Sequence, residues 1–392
     1  MGRSADYTIQ GFLYQFNLTL SEILKAEEDD VVTVEGIVED IEVENFSGTK
    51  AIQCKYHEAK ETYALSVLYH PLLEMMRHFK SNPGAKISYH LFAHFPNASA
   101  TTISEEDILT VLNSKNKDLQ SAITEVNGIN IPGFLSVFNF SLTPKYTELM
   151  AENIKRLEHA GFNKGEVEAL FYPNAIQIIA DLSIRHDEKL RKIIKKDFLQ
   201  KLRKIRSTAV SQWTLALKLR DKILAAKRKQ LYQGLQVNAR SRHIVIFPKF
   251  LESFNDEIVL FIKSFVDKYN FKPAHTQTPL FALDVDEDIF TEIAERLFSK
   301  EVSVNHGRPI KKFYESSFFR DPMVNKEKKE FVLRLIRWAD YKGLAGVSKA
   351  DDVFVIGDGC VECIDTKDIN LEILASEKFA EVQYMMGLKD GY

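Results

Sequence analysis

Three residues carry the most pointed chemistry in this chain: Asp40 and, thirteen residues later, the Gln53 and Lys55 of Gln53-Cys54-Lys55. Hydrolysis of a phosphodiester requires water to attack a phosphate that is already negative. A divalent cation neutralises that charge and lowers the pKa of the attacking water. Magnesium takes oxygen ligands and keeps several waters, so one or two carboxylates are enough to hold it. Asp40 is the expected primary ligand, with the Gln53 amide oxygen beside it. The Lys55 ammonium is placed to orient the nucleophile and to stabilise charge developing in the transition state. Because side chains alternate along a strand, Gln53, Lys55 and His57 share one face while Ile52, Cys54 and Tyr56 face packing.

These residues need a hairpin to meet. Val31–Val34 and Ile37–Val43 read as extended chain rich in β-branched residues, Asn45-Phe46-Ser47-Gly48 as a turn, and Ala51–Tyr56 as the returning strand. Before them, residues 8–30 read as a helix, with Ile9, Phe12, Leu13, Phe16, Leu20, Ile23 and Leu24 near helical spacing. After them come a helix over 64–80, kinked or restarted at Pro71, a strand over 86–95, and a helix announced by the capping box Ser104-Glu105-Glu106-Asp107. That order is a compact α/β core.

The chain has 392 residues, 45% of them hydrophobic, enough for two or three domains. Its net charge of −3 gives no global sign of nucleic acid, but the charge is unevenly spread. Between Arg185 and Lys229 there are sixteen Lys or Arg against four Asp or Glu, on apolar residues that keep a helical period. Arg191, Lys192, Lys195, Lys196, Arg203 and Lys204 are the expected DNA contacts in that run, each adding salt-dependent, sequence-independent affinity. From His243 onward strands and helices alternate again: 243–247, 280–285 and 352–356 as strands, 256–269 and 287–299 as helices, and a late hairpin of 352–356 with 361–364 around Gly357-Asp358-Gly359. The expected architecture is therefore α/β: residues 1–145 as one domain, a helical basic segment over 146–238, and a separate C-terminal α/β domain over 239–392.

Three cysteines, Cys54, Cys360 and Cys363, make no disulfide framework and suit a reducing cytoplasm. The N-terminus lacks the apolar core of a signal peptide, and no run of about 18 apolar residues suggests a membrane span. Cys360 and Cys363 have zinc spacing, but a structural site needs four ligands, and His275 or His306 would have to join from afar. His90 and His94 fall on one strand face and read as packing residues. Asp284, Asp286 and Asp288 lack the Gly and terminal Glu of a calcium loop, so helix capping explains them better. No phosphate-loop motif is present, so any ATP-driven step belongs to another protein.

The run Gly11-Phe12-Leu13-Tyr14-Gln15, then Val34-Glu35-Gly36 and Asp40, then Ile52-Gln53-Cys54-Lys55 resembles the double-stranded-DNA endonuclease domain of CBASS anti-phage effectors, a branch of the PD-(D/E)-x-K restriction-endonuclease superfamily. The same domain begins the nuclease subunit of Lamassu-type, SMC-associated defence systems, which this chain's length resembles. The resemblance covers roughly residues 8–145 and implies a restriction-endonuclease-like fold. It implies Asp40, Gln53 and Lys55 as catalytic positions, Glu35 or Glu22 as a supporting acid, and Gln15 as a structural or phosphate contact. Asp40, Gln53 and the main-chain carbonyl of Cys54 would be the metal ligands, for Mg2+ with Mn2+ as a substitute. Gln53 stands where the superfamily name has a second acid, which leaves fewer negative charges for the metal. The implied function is a DNA endonuclease effector of an anti-phage or anti-plasmid complex. It would act on double-stranded DNA with an SMC-like ATPase and a small accessory subunit, held inactive until assembly as a homo-oligomer. The alternatives are a CBASS nuclease switched on by a cyclic oligonucleotide, and a non-catalytic DNA-binding subunit on a nuclease fold.

Overall fold

The computed structural model describes residues 2–36, 39–56, 63–97, 102–270, 277–309, 312–326, 328–344, 350–359, 364 and 367–392. The chain forms two compact units, Met1–Arg206 and Ser207–Tyr392, each mixed α/β.

The first unit opens with helix α1 (Gly2–Lys25), followed by strands β1 (Val31–Val34), β2 (Ile41–Asn45) and β3 (Gly48–Tyr56). Helix α2 (Tyr69–Ser81) and strand β4 (Ile87–His94) come next, then helices α3 (Glu105–Leu112), α4 (Gln120–Val126) and α5 (Ile131–Val137) and strand β5 (Phe138–Leu142). Helix α6 (Tyr146–His159), the single turn α7 (Lys164–Glu166), helix α8 (Tyr172–Ser183), the short strand β6 (Lys192–Ile194) and helix α9 (Lys195–Lys204) complete it. The six strands form one sheet in the order β5-β4-β3-β2-β1-β6. β1, β2, β3 and β6 pair antiparallel, whereas β3–β4 and β4–β5 are parallel.

Two faces of this sheet are covered differently. On one, Ala51, Tyr89, Leu91 and Ala93 pack under α2 with Leu72, Met75 and Met76. On the other lies α1, whose Tyr14 stacks on Tyr56 at 4.3 Å and donates its hydroxyl to the Pro144 carbonyl. Buried Asn17 accepts from the Tyr172 hydroxyl at 2.9 Å, and its carbonyl accepts from Asn153 at 2.7 Å, so one buried polar cluster ties α1, α6 and α8 together. Ile9 and Phe12, expected on the buried stripe of α1, are exposed.

The helix expected over 64–80 restarts near Pro71: Leu65–Leu68 form a 3-10 turn and α2 begins at Tyr69, with Pro71 in its first turn, where its missing N–H has no partner to lose. Ser104 accepts from Asp107 N–H and the Asp107 carboxylate accepts from Ser104 N–H, the expected box at the start of α3. The basic run is not helical throughout, because Lys192–Ile194 form an edge strand on β1. Nor is it one body: residues to 206 fold with the first unit and those from 207 with the second, inside the segment read as a single middle region.

The second unit contains α10 (Gln212–Leu215), α11 (Arg220–Leu235), β7 (Arg242–Ile246), α12 (Phe254–Tyr269), β8 (Leu280–Leu283) and α13 (Glu287–Ser299). There follow β9 (Val304–Asn305), α14 (Glu315–Phe319), the two-residue strands β10 (Val324–Asn325) and β11 (Lys328–Lys329), β12 (Leu333–Arg337), α15 (Trp338–Tyr341), β13 (Asp352–Ile356), β14 (Asn370–Leu374) and α16 (Phe379–Met385). Its main sheet runs β14-β13-β7-β8-β12-β9, and every pair in it is parallel. Parallel strands buried on both faces read as continuous apolar runs, as in Leu280-Phe-Ala-Leu283. The late hairpin is not formed by β13, because its two edges are taken by β7 and β14. Its expected return strand, Val361–Ile364, falls mostly outside the described residues, as do Cys360 and Cys363. Asp286 caps α13, accepting from Ile289 N–H at 2.9 Å.

Two buried polar contacts brace this unit. Lys227 donates to Glu372 at 2.5 Å and to Ser207 at 2.7 Å, tying the first residue of the unit to α11 and β14. His243 pairs with the Tyr341 hydroxyl at 2.8 Å, and burial, aided by Arg334, pushes its pKa down to about 4 from 6.5. A depressed histidine contributes stability above its unfolded pKa and loses it as pH falls through the folded value. Thermal unfolding followed from pH 7 to 4 is expected to show the wild type losing stability between about pH 6.5 and 4. In His243→Gln that part of the slope disappears; an unchanged slope would contradict the assignment.

Candidate catalytic site

The β1–β2 connection builds the site. Glu35 N–H donates to the Asp40 carbonyl at 2.8 Å and Gly36 N–H to the Glu39 carbonyl at 3.0 Å, closing a tight reversal. Glu35 adopts φ +51, a left-handed conformation uncommon for a residue with a β-carbon. A β-carbon at Gly36 would meet the Glu42 carboxyl at 2.4 Å, so a larger residue there would have to push that side chain aside. The reversal swings Asp40 over the end of β3, where its Oδ2 accepts from Gln53 Nε2 at 2.5 Å and from Cys54 N–H at 2.9 Å.

The pairing register settles which way the side chains face. Glu42 lies opposite Ala51 and Gln53 opposite Leu91, so Gln53 and Lys55 project from the same face as Ala51, the face on which α2 packs. Asp40, Gln53, Cys54 and Lys55 are all only half-buried, so this end of the sheet opens to solvent. Lys55 lies in the field of three carboxyls, Asp40, Glu35 and Glu39, with no ion pair under 4 Å among the described residues.

That crowding shows in the acids. Burial lifts the Asp40 carboxyl above its usual range, against the pull of Cys54 N–H, Lys55 and Gln53. Burial and the Asp40 charge raise Glu35, opposed by Gln15, Arg191 and Lys55. Glu39 is the extreme case: burial, then Asp40, push it up to about 8, and its Oε1 has no partner among the described residues. Sequence reading missed Glu39. Strict alternation sets it on the face opposite Asp40, and only its place beside Asp40 could have signalled it.

The other expected residues fall as follows. Gln15 holds Glu35, donating to its carboxylate at 2.7 Å, which is a structural role. Glu22 is no supporting acid: it is buried at the far end of β3, paired with Lys25 at 2.9 Å and Lys50 at 2.7 Å. Burial works to raise it, but the two lysines outweigh burial and hold it below the usual range. Lys50 and Lys55 lie roughly 16 Å apart along the strand. His57 lies outside the described residues.

Of the six expected DNA contacts, three are spent on main-chain carbonyls. Arg191 donates to Glu35 at 2.9 Å, Lys195 to Ala26 at 2.6 Å and Arg203 to Ala160 at 3.2 Å. Lys192 pairs with Glu44 at 3.0 Å. Lys196 and Lys204 remain exposed with no protein partner for their ammonium groups among the described residues. Carbonyls at helix ends and turns need donors, and these cations supply them.

Among the described residues no group of three or more His, Cys, Asp or Glu is arranged around a metal. The donor set nevertheless suits a hard cation: the Asp40 carboxylate, the Gln53 amide once turned to present oxygen, and the Cys54 carbonyl. A strand residue's N–H and C=O point to the same edge, and Cys54 N–H already faces Asp40.

In the second unit, a cleft of about 640 Å3 opens at the amino-terminal edge of the sheet, lined in part by His243, Thr278, Glu315 and Arg334. Arg334 spends its donors on the carbonyls of Thr278, Phe318, Phe319 and Arg320, so it serves the backbone there. Ligands of open parallel sheets bind at the carboxyl edge, where the order of strands reverses. Here that edge lies between β7 and β13. Gly357 abuts the Phe247 carbonyl there, and Lys249 lies over the exposed Phe250 ring at 5.0 Å. The carboxyl edge is the stronger candidate despite the cleft opposite.

No family model matches the chain, and no curated protein matches it. Among solved structures it is similar to SAVED/CARF-domain containing receptors. One is the Acinetobacter baumannii Cap4 receptor, solved with the cyclic trinucleotide 3'3'3'-cAAA, at 12% identity and TM-score 0.30 over 96% of this chain and 92% of that one. Another is the Moraxella osloensis Cap4 receptor, at 12% identity and TM-score 0.29 over 99% and 94%. At these values the likeness carries no argument about function. No helix among the described residues is long and apolar enough to cross a membrane.

Asp40→Asn removes a half-buried charge whose neighbours include two other carboxyls, so its melting temperature is expected to equal or exceed the wild type's. Mn2+ is expected to raise the wild-type melting temperature and leave the variant's unchanged in a thermal-shift titration. An equal Mn2+ response in both would place the cation elsewhere.

Proposed function

We propose that the first unit is a magnesium-dependent DNA endonuclease of the restriction-endonuclease-like type and that the chain serves prokaryotic defence against phage or plasmid DNA. The observation that supports this reading most is the meeting of Asp40, Gln53 and Lys55 on one open end of a sheet, through Asp40's contacts to Gln53 and Cys54. A bound Mg2+, with Mn2+ as substitute, would be held by Asp40, Gln53 and the Cys54 carbonyl, neutralising phosphate charge and activating water. Cys54 N–H and Gln53 fix the carboxylate that does the holding. The Lys55 ammonium lies where it can face the scissile phosphate and stabilise negative charge as the bond breaks. Glu35, braced by Gln15, adds negative charge behind Asp40.

A nuclease in a cell that carries its own DNA must be held off, and the second unit supports one means of control. Its all-parallel sheet with a strand-order reversal between β7 and β13 favours a ligand at the carboxyl edge, hence a cyclic-oligonucleotide trigger, over assembly on an SMC-like ATPase. Lys249 and Phe250 offer a phosphate contact and a stacking face. The first turns of α12 and α13 are acidic, so helix N-termini would not take the phosphates. No comparable feature of the described residues favours the SMC-type partnership.

Lys55→Ala is expected to reduce cutting at least ~100-fold while DNA binding and the melting temperature stay at wild-type values. Unchanged cutting in a clean preparation would remove Lys55 from the mechanism. Running the assay with a panel of cyclic di- and trinucleotides separates the triggers: stimulation lost in Lys249→Ala supports ligand control, and full activity without any ligand contradicts it.

A further inference from the structure

Arg191 stands just before β6, and the β6–β1 register, Lys192 opposite Thr33, carries it to the end of β1 beside Glu35. Its guanidinium faces inward there: Nη1 donates to the Glu35 carbonyl at 2.9 Å and Nε to the Arg185 carbonyl at 2.6 Å. Glu35 is the residue in the site that most needs restraint, because its left-handed backbone persists only where surroundings over-determine it. Three contacts do so, from three parts of the chain. Asp40's carbonyl takes its N–H, Gln15 on α1 holds its carboxylate, and Arg191 on the edge strand holds its carbonyl. The first of these contacts links Glu35 directly to Asp40, so moving Glu35 moves the carboxylate that meets Gln53 and Cys54.

We propose that Arg191 is a positioning residue: by clamping the Glu35 carbonyl it fixes the strained turn that aims Asp40 at β3. This assigns Arg191 a different task from the phosphate contact its place in a basic run suggests. The kinetic part of the proposal rests on the nuclease reading, while the structural part does not. The two roles separate cleanly, since a phosphate contact contributes to the salt dependence of DNA binding and a backbone clamp does not.

The test uses the full chain with Arg191→Met and Arg191→Lys, the second keeping the charge and one donor group. Three quantities are measured: duplex binding against salt concentration with Ca2+ present, amide hydrogen exchange at Glu35 and Gly36, and single-turnover cleavage with Mg2+. Arg191→Met is expected to keep the wild-type salt slope, to exchange those two amides about tenfold faster, and to cut more slowly at saturating DNA with unchanged half-saturation. Arg191→Lys is expected to fall between the two. A salt slope reduced by about one with unchanged exchange would overturn the proposal in favour of a phosphate contact. If the wild type cuts under no condition, the nuclease reading fails, while the exchange rates still decide whether Arg191 holds the turn.

Discussion

Everything at the candidate site depends on one carboxylate held at the end of a strand by two N–H groups of its neighbour. Asp40 accepts from Gln53 and from the Cys54 main chain, and it stands just before β2, whose register sets Ile41 opposite Ile52 and so carries Asp40 to Gln53. The arrangement is electrostatically unfinished. Three carboxyls, Glu35, Glu39 and Asp40, surround one lysine, and all three are raised above their usual range, with burial the leading cause. Protons can relieve that excess, and so can a divalent cation. In the second case the same cation makes the approach of a DNA phosphate favourable where the bare acids would repel it.

Helices pack on both faces of the sheet that carries the site. Helix α2 packs on the Ala51 face, and α1 covers the reverse face with Tyr14 stacked on Tyr56 and tilted against His94. Gln53 and Lys55 stay half-buried on an interior strand of the sheet, where rigid neighbours on both sides limit their drift. Cations that looked available for DNA are partly consumed in building this scaffold. Lys195 closes the end of α1 and Arg203 closes α6, leaving a smaller exposed basic surface than sixteen positive residues suggest.

The sequence made the local chemistry legible where a short period sufficed. The strand pairing around Ala51–Tyr56, the Ser104 capping box and the Asp286 cap follow from alternation and capping rules, and the structure holds them. Period alone says which face a residue takes, not who waits there. Glu22 has the pattern of an ordinary helix residue, and its partner Lys50 lies twenty-eight positions away. Arg191 was indistinguishable from its basic neighbours until β6 paired with β1, a three-residue strand too short to announce itself. Glu39 escaped because the left-handed turn at Glu35 breaks the alternation just where it matters. In the second unit, apolar strands were readable but their parallel order was not, since nothing local distinguishes a hairpin return from a crossover.

The most direct test is digestion of a supercoiled plasmid by the wild-type chain with Mg2+, in the presence of the cyclic-nucleotide panel, and in a parallel sample with excess EDTA. Nicked and linear products that form with Mg2+ and vanish with EDTA are the predicted result. Intact plasmid in every sample, or cutting that persists in the chelator, would contradict a cation-dependent nuclease centred on Asp40.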